Sequence, residues 1–385
     1  MTPRAITGLG VVCPLGVGRQ AFVEAMRSGL RPTYQGAKVE TFDASLYPPA
    51  PIAEVPGFDA AKYLGDKGLR SLDRLTKLLV TAARLALHDA GLKKDLAWTA
   101  GDTAQTGIVV SNAYGSLEAI TELDRVATLE DARYINPSRF PLTVSNSAAG
   151  YVSIWEELRA LNVSVSDGNC GALDAAACAD VLLAQGRARA LLVGGAEAMS
   201  EALFLAFLKL GAVAEGACLG EGAALAVMET REDAAARGAD VLAEMAGYGT
   251  AFLPPERAVS LVHASSEAVD RAVRQALDDA GIAPGEVDVV VSGLSGLRAF
   301  DEAELLGLRR ALGEGVCVTA PKLALGETLG AGGAMGMLAA IATLHDRARS
   351  HVVRGTLRTE PRTAVVTSMG YYGNASALVM RAASR

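Results

Sequence analysis

Apolar positions along this chain follow two periods, and the order in which they alternate predicts an α/β protein. A helical spacing runs through LDRLTKLLVTAARLALHDAGL at 72–92, whereas short continuous β-branched runs occur at GIVVS 107–111 and VDVVVSG 287–293. The strands ALLVGG at 190–195 and AVVTSMG at 364–370 carry no polar alternation. Such runs are buried on both faces, as in a sheet sandwiched between helices.

The pattern repeats. AARLALHDAGL at 82–92 matches AVRQALDDAGI at 272–282 in seven of eleven positions, 190 residues apart, and each copy leads through a Gly stop into a Val-rich strand. A second pair, GALDAAACADVLLAQG at 171–186 and GAGGAMGMLAAIATLH at 330–345, gives small-residue apolar helices at similar places in the two halves. A duplicated α/β unit follows, with halves 1–245 and 246–385 meeting at Met245 and no low-complexity linker between them.

Thr328–Leu344 carries no charge, but it falls short of the roughly 20 residues of a bilayer span and holds Gly330, Gly332, Gly333 and Gly336. It reads as a buried helix packed closely against a neighbour.

Composition narrows the functional classes. Half of the 385 residues are hydrophobic and 21% are charged, with 43 acidic against 36 basic side chains. No Lys/Arg run supplies the patch that nucleic acid or an anionic membrane would need. Cysteines at 13, 170, 178, 218 and 317 are odd in number and lack CxxC spacing, which argues against a disulfide framework or zinc site and for a reducing cytoplasm. The N-terminus, MTPRAITGLG, lacks the features of an export signal. Gly8-Leu-Gly10 lacks the third glycine of a dinucleotide fingerprint, and there is no GxxxxGK[ST], HExxH or GxSxG. Neither cofactor nor metal is expected.

Several segments together resemble the β-ketoacyl synthases: ITGLGVVCPLG near the start, FPLTVSNSAAGYVSI, ALLVGGAEAM, LGEGAALAVME and TSMGYYGNASALVMR. The resemblance covers almost the whole chain. It implies a thiolase-like fold of two similar βαβ-type halves in five layers, α/β/α/β/α.

In that family a nucleophilic cysteine sits after a strand, at a helix N-terminus that favours a thiolate. Counting back from GGAEAM places Asn169 there, with Cys170 next. An amide cannot form a thioester, and the neighbouring thiol is turned by about 100° around a helix. Active members also use two histidines to stabilise a developing enolate. The first motif reads VVVSGLSGLRAFDEAE, with Gly293 at the histidine position and the acidic pair Asp301 and Glu304 kept as structural residues. The second reads PKLALGETLGAGGA, retaining Lys322 but placing Glu327 where histidine belongs.

NCGALDA is similar to the QAGGLDA pattern of chain length factors, the inactive partners of ketosynthases in type II polyketide systems. That resemblance implies a heterodimer with an active ketosynthase, built on strand 162–168, a shared acyl tunnel, and contact with an acyl carrier protein through the ketosynthase. It also implies pocket positions for Tyr114 and, in the altered loop Gly370-Tyr371-Tyr372-Gly373, for Tyr371. For Tyr114 an ordinary turn tyrosine is an equal reading. The short loop between FLAFLKLG and LGEGAA is similar to those of aryl-polyene-type members. Two other readings stay open: an acyltransferase or thioester hydrolase using Cys170 with Glu327 and Lys322, and malonyl decarboxylation assisted by the Asn169 amide.

Overall fold

The computed structural model describes residues 1–212, 216–255, 262–349 and 351–383. Eleven strands form one path: β1 Arg4–Cys13, β2 Thr106–Ser111, β3 Asn162–Val165, β4 Ala190–Glu197, β5 Gly222–Glu229, β6 Ala243–Phe252, β7 Val289–Val291, β8 Cys317–Thr319, β9 Val352–Arg354, β10 Thr363–Met369 and β11 Asn374–Ala382. Their spatial order is β9-β8-β7-β10-β11-β6-β1-β5-β4-β2-β3, with a short strand, Gly16–Val17, paired to β1.

That order is one five-strand unit used twice. In the first half β1-β5-β4-β2-β3 runs antiparallel, antiparallel, parallel, parallel. In the second half β6-β11-β10-β7-β8 repeats the same sequence of orientations. The two units join where β1 pairs with β6, Arg4 opposite Met245. The expected division after Met245 thus falls inside β6, next to a register shift between Met245 and Gly247.

The helices of the layers include α1 Arg74–Asp89, α2 Leu117–Val126, α3 Ser147–Glu156, α4 Gly171–Ala184, α5 Glu201–Lys209, α6 Ser266–Ala280, α7 Arg298–Leu312 and α8 Gly332–Leu344. Period-two alternation assigns each strand's side chains to two cores. On β4, Leu191 and Val193 join α4 and α8 in the central core, whereas Ala190 and Leu192 join α1 and α3 outside. On β7, Val289 and Val291 face the same centre while Val290 packs with α6 and α7. The result is five layers, α/β/α/β/α, as the resemblance implies. Every residue of α8 is buried, and a Cβ on Gly333 would touch Leu173 of α4, which explains its uncharged, Gly-rich sequence. Among the described residues no helix is long and apolar enough to cross a membrane.

The duplicated helix sequence has a packing cause. A Cβ at Gly8 or Gly10 of β1 would overlap the main chain of α1 and its following turn at Ala82, Ala86 and Ala90. Gly247 and Gly249 of β6 stand in the same relation to Ala272, Ala276 and Ala280. The alanines are the repeat positions, 190 residues apart in each case. Helix and strand approach to main-chain contact, so only Gly on one side and Ala on the other fit.

Gly10→Ala and Gly249→Ala should each destabilise the protein by about 1–3 kcal/mol, read from urea unfolding. Gly285→Ala, where a Cβ meets nothing within 4 Å, should leave the midpoint unchanged.

Candidate functional site

The C-terminal ends of β2 and β10 and the turn before α4 converge between the two halves. Asn169 and Cys170 lie in a 3₁₀ turn, Gly168–Cys170, that opens α4, with Gly168 in the left-handed region at φ 50°. The end of β10 fixes the turn: Ser368 Oγ donates to the Asn169 carbonyl at 2.6 Å, and Cys170 Sγ donates to the Ser368 carbonyl at 3.4 Å. Cys170 is wholly inside the protein, and burial pushes its thiol well above the usual range. A thiol so placed is held in its protonated form.

Asn169 faces the opposite way. It lines a cavity of 150 Å³ together with Tyr114 and Tyr371, the two residues the resemblance places at a pocket. Tyr114 belongs to the turn after β2 and is 39% exposed. The Tyr371 ring packs edge-on against Phe300 at 5.1 Å and Phe207 at 6.1 Å. Burial raises its hydroxyl well above the ordinary tyrosine range, with the Glu327 charge adding to the effect.

Glu327 stands behind Asn169 and is 1% exposed. Both of its oxygens accept from Lys322 Nζ at 2.9 Å, Oε1 also accepts the Leu329 N–H at 2.9 Å, and Oε2 takes a long bond from Asn169 Nδ2 at 3.4 Å. Lys322 is itself 4% exposed. A buried ion pair therefore occupies the place where the resemblance leads one to expect an enolate-stabilising donor, and one of its acceptors takes the bond from Asn169. An anion developing beside Asn169 would meet a carboxylate.

Position 293 is closed as well. Glu304 accepts the Gly293 N–H at 2.8 Å and the Thr367 hydroxyl at 2.6 Å, and a Cβ on Gly293 would sit 3.3 Å from Glu304 Oε2. Asp301 accepts the N–H groups of Ser295 and Gly296, each at 3.0 Å. The acidic pair thus secures the loop that leads into α7.

Three contributors escaped the sequence reading. Glu197, at the end of β4, accepts the N–H groups of Ala113 at 2.7 Å and Gly330 at 3.2 Å, tying the Tyr114 turn to the segment before α8. Burial raises it to about 7. An acid ending the apolar run ALLVGGAE was its only signal. Asp167 and Asn374 also line the cavity and bond to each other, Asn374 Nδ2 donating at 3.0 and 3.1 Å. They lie 207 residues apart, so no local pattern joins them. Part of the shortened loop, residues 213–215, lies outside the described residues.

Burial also raises Glu304, to about 7, against the lowering effect of the Thr367 and Gly293 bonds. An unfolded glutamate releases its proton near 4.3, so between there and 7 the folded state holds a proton that the unfolded state has lost. Stability from this group falls as pH rises through that window. Relative to Glu304→Gln, the wild-type protein should lose roughly 3 kcal/mol between pH 4 and 8, measured as the difference between the two unfolding curves at each pH. A constant difference would contradict the buried, protonated Glu304.

Known proteins share this architecture. The family models described as β-ketoacyl synthase, N-terminal domain, and β-ketoacyl synthase, C-terminal domain, match residues 1–234 and 242–354. The chain is 31% identical to the tetracenomycin polyketide synthase ketoacyl synthase beta subunit of Streptomyces glaucescens, over 98% of each chain. It is 28% identical to 3-oxoacyl-[acyl-carrier-protein] synthase 2 of Vibrio cholerae, over 89% of this chain and 86% of that one. The solved ishigamide ketosynthase/chain length factor shares the fold over the full length of both chains, with a TM-score of 0.87 at 24% identity. With both domain models matched in order along a single duplicated body, the chain belongs to the β-ketoacyl synthase family.

Proposed function

We propose that this protein is a chain length factor-like subunit, without condensing activity of its own, that pairs with an active ketosynthase and shapes the tunnel for its growing acyl chain. The observation that carries this reading is the site itself. On the family resemblance Asn169 corresponds to the nucleophile and Gly293 and Glu327 to the donors, and Lys322 is bonded to Glu327. Cys170, the nucleophile of the alternative reading, is buried away from the cavity with its thiol held protonated. The buried Glu327 also disfavours decarboxylation at Asn169, because the enolate would form against it.

The pairing surface is supported by an asymmetry between the halves. In the second half the outer edge of β8 is covered by β9, whereas in the first half no strand among the described residues pairs with the equivalent edge of β3. A bare edge offers unpaired N–H and C=O groups to another strand. Flanking it, α3 exposes Ile154 at 73% and α4 exposes Val181 at 52%. Exposed apolar side chains beside an open edge suit an isologous interface between two bodies of this fold. A carrier protein would be engaged through the ketosynthase, and the protein would act in the cytoplasm.

Co-expressed with a ketosynthase of the same biosynthetic system, the chain should elute as a one-to-one complex. Ile154→Glu should weaken that complex by about 100-fold or more, because a charge would be buried against the partner. Elution as separate proteins, or a complex indifferent to Ile154→Glu, would contradict the assigned surface.

A further inference from the structure

The cavity beside Asn169 presents acceptors, and its wall carries negative charge. Asn169 Nδ2 is turned to Glu327 and Asn374 Nδ2 to Asp167, so the carboxylates fix the orientation of both amides. Their carbonyl oxygens are left over. Asn169 Oδ1 and Asn374 Oδ1 are buried atoms with no hydrogen-bond partner among the described residues. Both residues line the cavity, and Asn169 is only 3% exposed. An orphaned buried acceptor is costly, so two around one space call for a donor there.

Charge and shape define that donor. Asp167 lines the same space and has no cationic partner among the described residues, unlike Glu327, which Lys322 neutralises. Tyr114 and Tyr372, 39% and 48% exposed, stand side by side at the mouth. Aromatic rings sharing a cavity with a carboxylate favour a cation. The volume of 150 Å³ admits about five water-sized groups.

The geometry points to a binding site for a small primary ammonium group in the cavity left by the lost nucleophile. Its N–H donors suit the orphaned oxygens of Asn169 and Asn374, its charge is answered by Asp167, and its carbon stem leaves between Tyr114 and Tyr372. Uncharged donors lack the attraction to Asp167, and carboxylates are repelled by it. The site stands on the cavity alone and needs no partner subunit, so its failure would leave the proposed pairing untouched.

Titration of the purified chain with n-propylammonium, n-propanol and propionate, followed by saturation-transfer NMR at pH 7.5, tests the site. Propylammonium should bind saturably and at least about tenfold more tightly than either neutral or anionic isostere, the scale of one desolvated charge contact. Asp167→Asn should remove about tenfold of that affinity, and Tyr372→Leu, a change at an exposed ring, about threefold. Equal affinity for the three probes, or no saturable binding of propylammonium, would overturn the assignment. Unchanged binding by a folded Asp167→Asn would do the same. Should Asp167→Asn fail to fold, the Tyr372→Leu result decides: a threefold loss supports the site and unchanged affinity overturns it.

Discussion

A carboxylate cannot be buried without an answering charge, and the arrangement of this site depends on that requirement at Glu327. Lys322 answers it from one side with two bonds of 2.9 Å, the Leu329 N–H from another, and the Asn169 amide completes the shell. Removing one partner of such a pair costs about 3–5 kcal/mol, so Lys322 and Glu327 hold each other in place. The lysine's ammonium is committed to that carboxylate. The amide at 169 is oriented with its oxygen outward, and the pocket becomes a lining of acceptors where the enzymatic members need donors.

The surrounding fold makes this arrangement possible without disturbing anything else. Two copies of a five-strand unit meet at β1 and β6, and the small-residue helices α4 and α8 fill the layer between them. The site sits at the seam, with Asn169 from one half and Glu327 and Tyr371 from the other. The frame rests on main-chain contacts between glycine strands and alanine helices that lie in the outer layers. Chemistry can therefore be lost at the seam while the body that presents the β3 edge stays intact. Nothing in the packing of α1 against β1 requires Cys rather than Asn at 169.

Much of this was legible in the sequence, for physical reasons that differ by element. The duplication showed because Ala82, Ala86 and Ala90 and their counterparts at 272, 276 and 280 are each pressed against a glycine strand, leaving little freedom to diverge. Helix α8 showed because, buried along its whole length, it admits no charge. Asn169, Tyr114 and Tyr371 meet at one cavity although the sequence holds them far apart, so their grouping follows from the fold rather than from any local pattern. The bare edge of β3 was harder: it is distinguished only by the three-residue β9 on the other half, too short to carry a period. The acceptor lining was hidden because Asp167 and Asn374 come from distant segments, and because the orphaned oxygens follow from side-chain orientation. Glu304 was visible as an acid, yet its role in closing position 293 depends on α7 folding back across the end of β7.

The most direct test of the central claim is intact-protein mass spectrometry after incubation with an acyl-carrier-protein thioester, with the chain alone and again in complex with a ketosynthase. The account predicts no acyl adduct on the lone chain and, in the complex, an adduct on the ketosynthase only. An acyl group on Cys170 of the lone protein would contradict it and make this chain an enzyme in its own right.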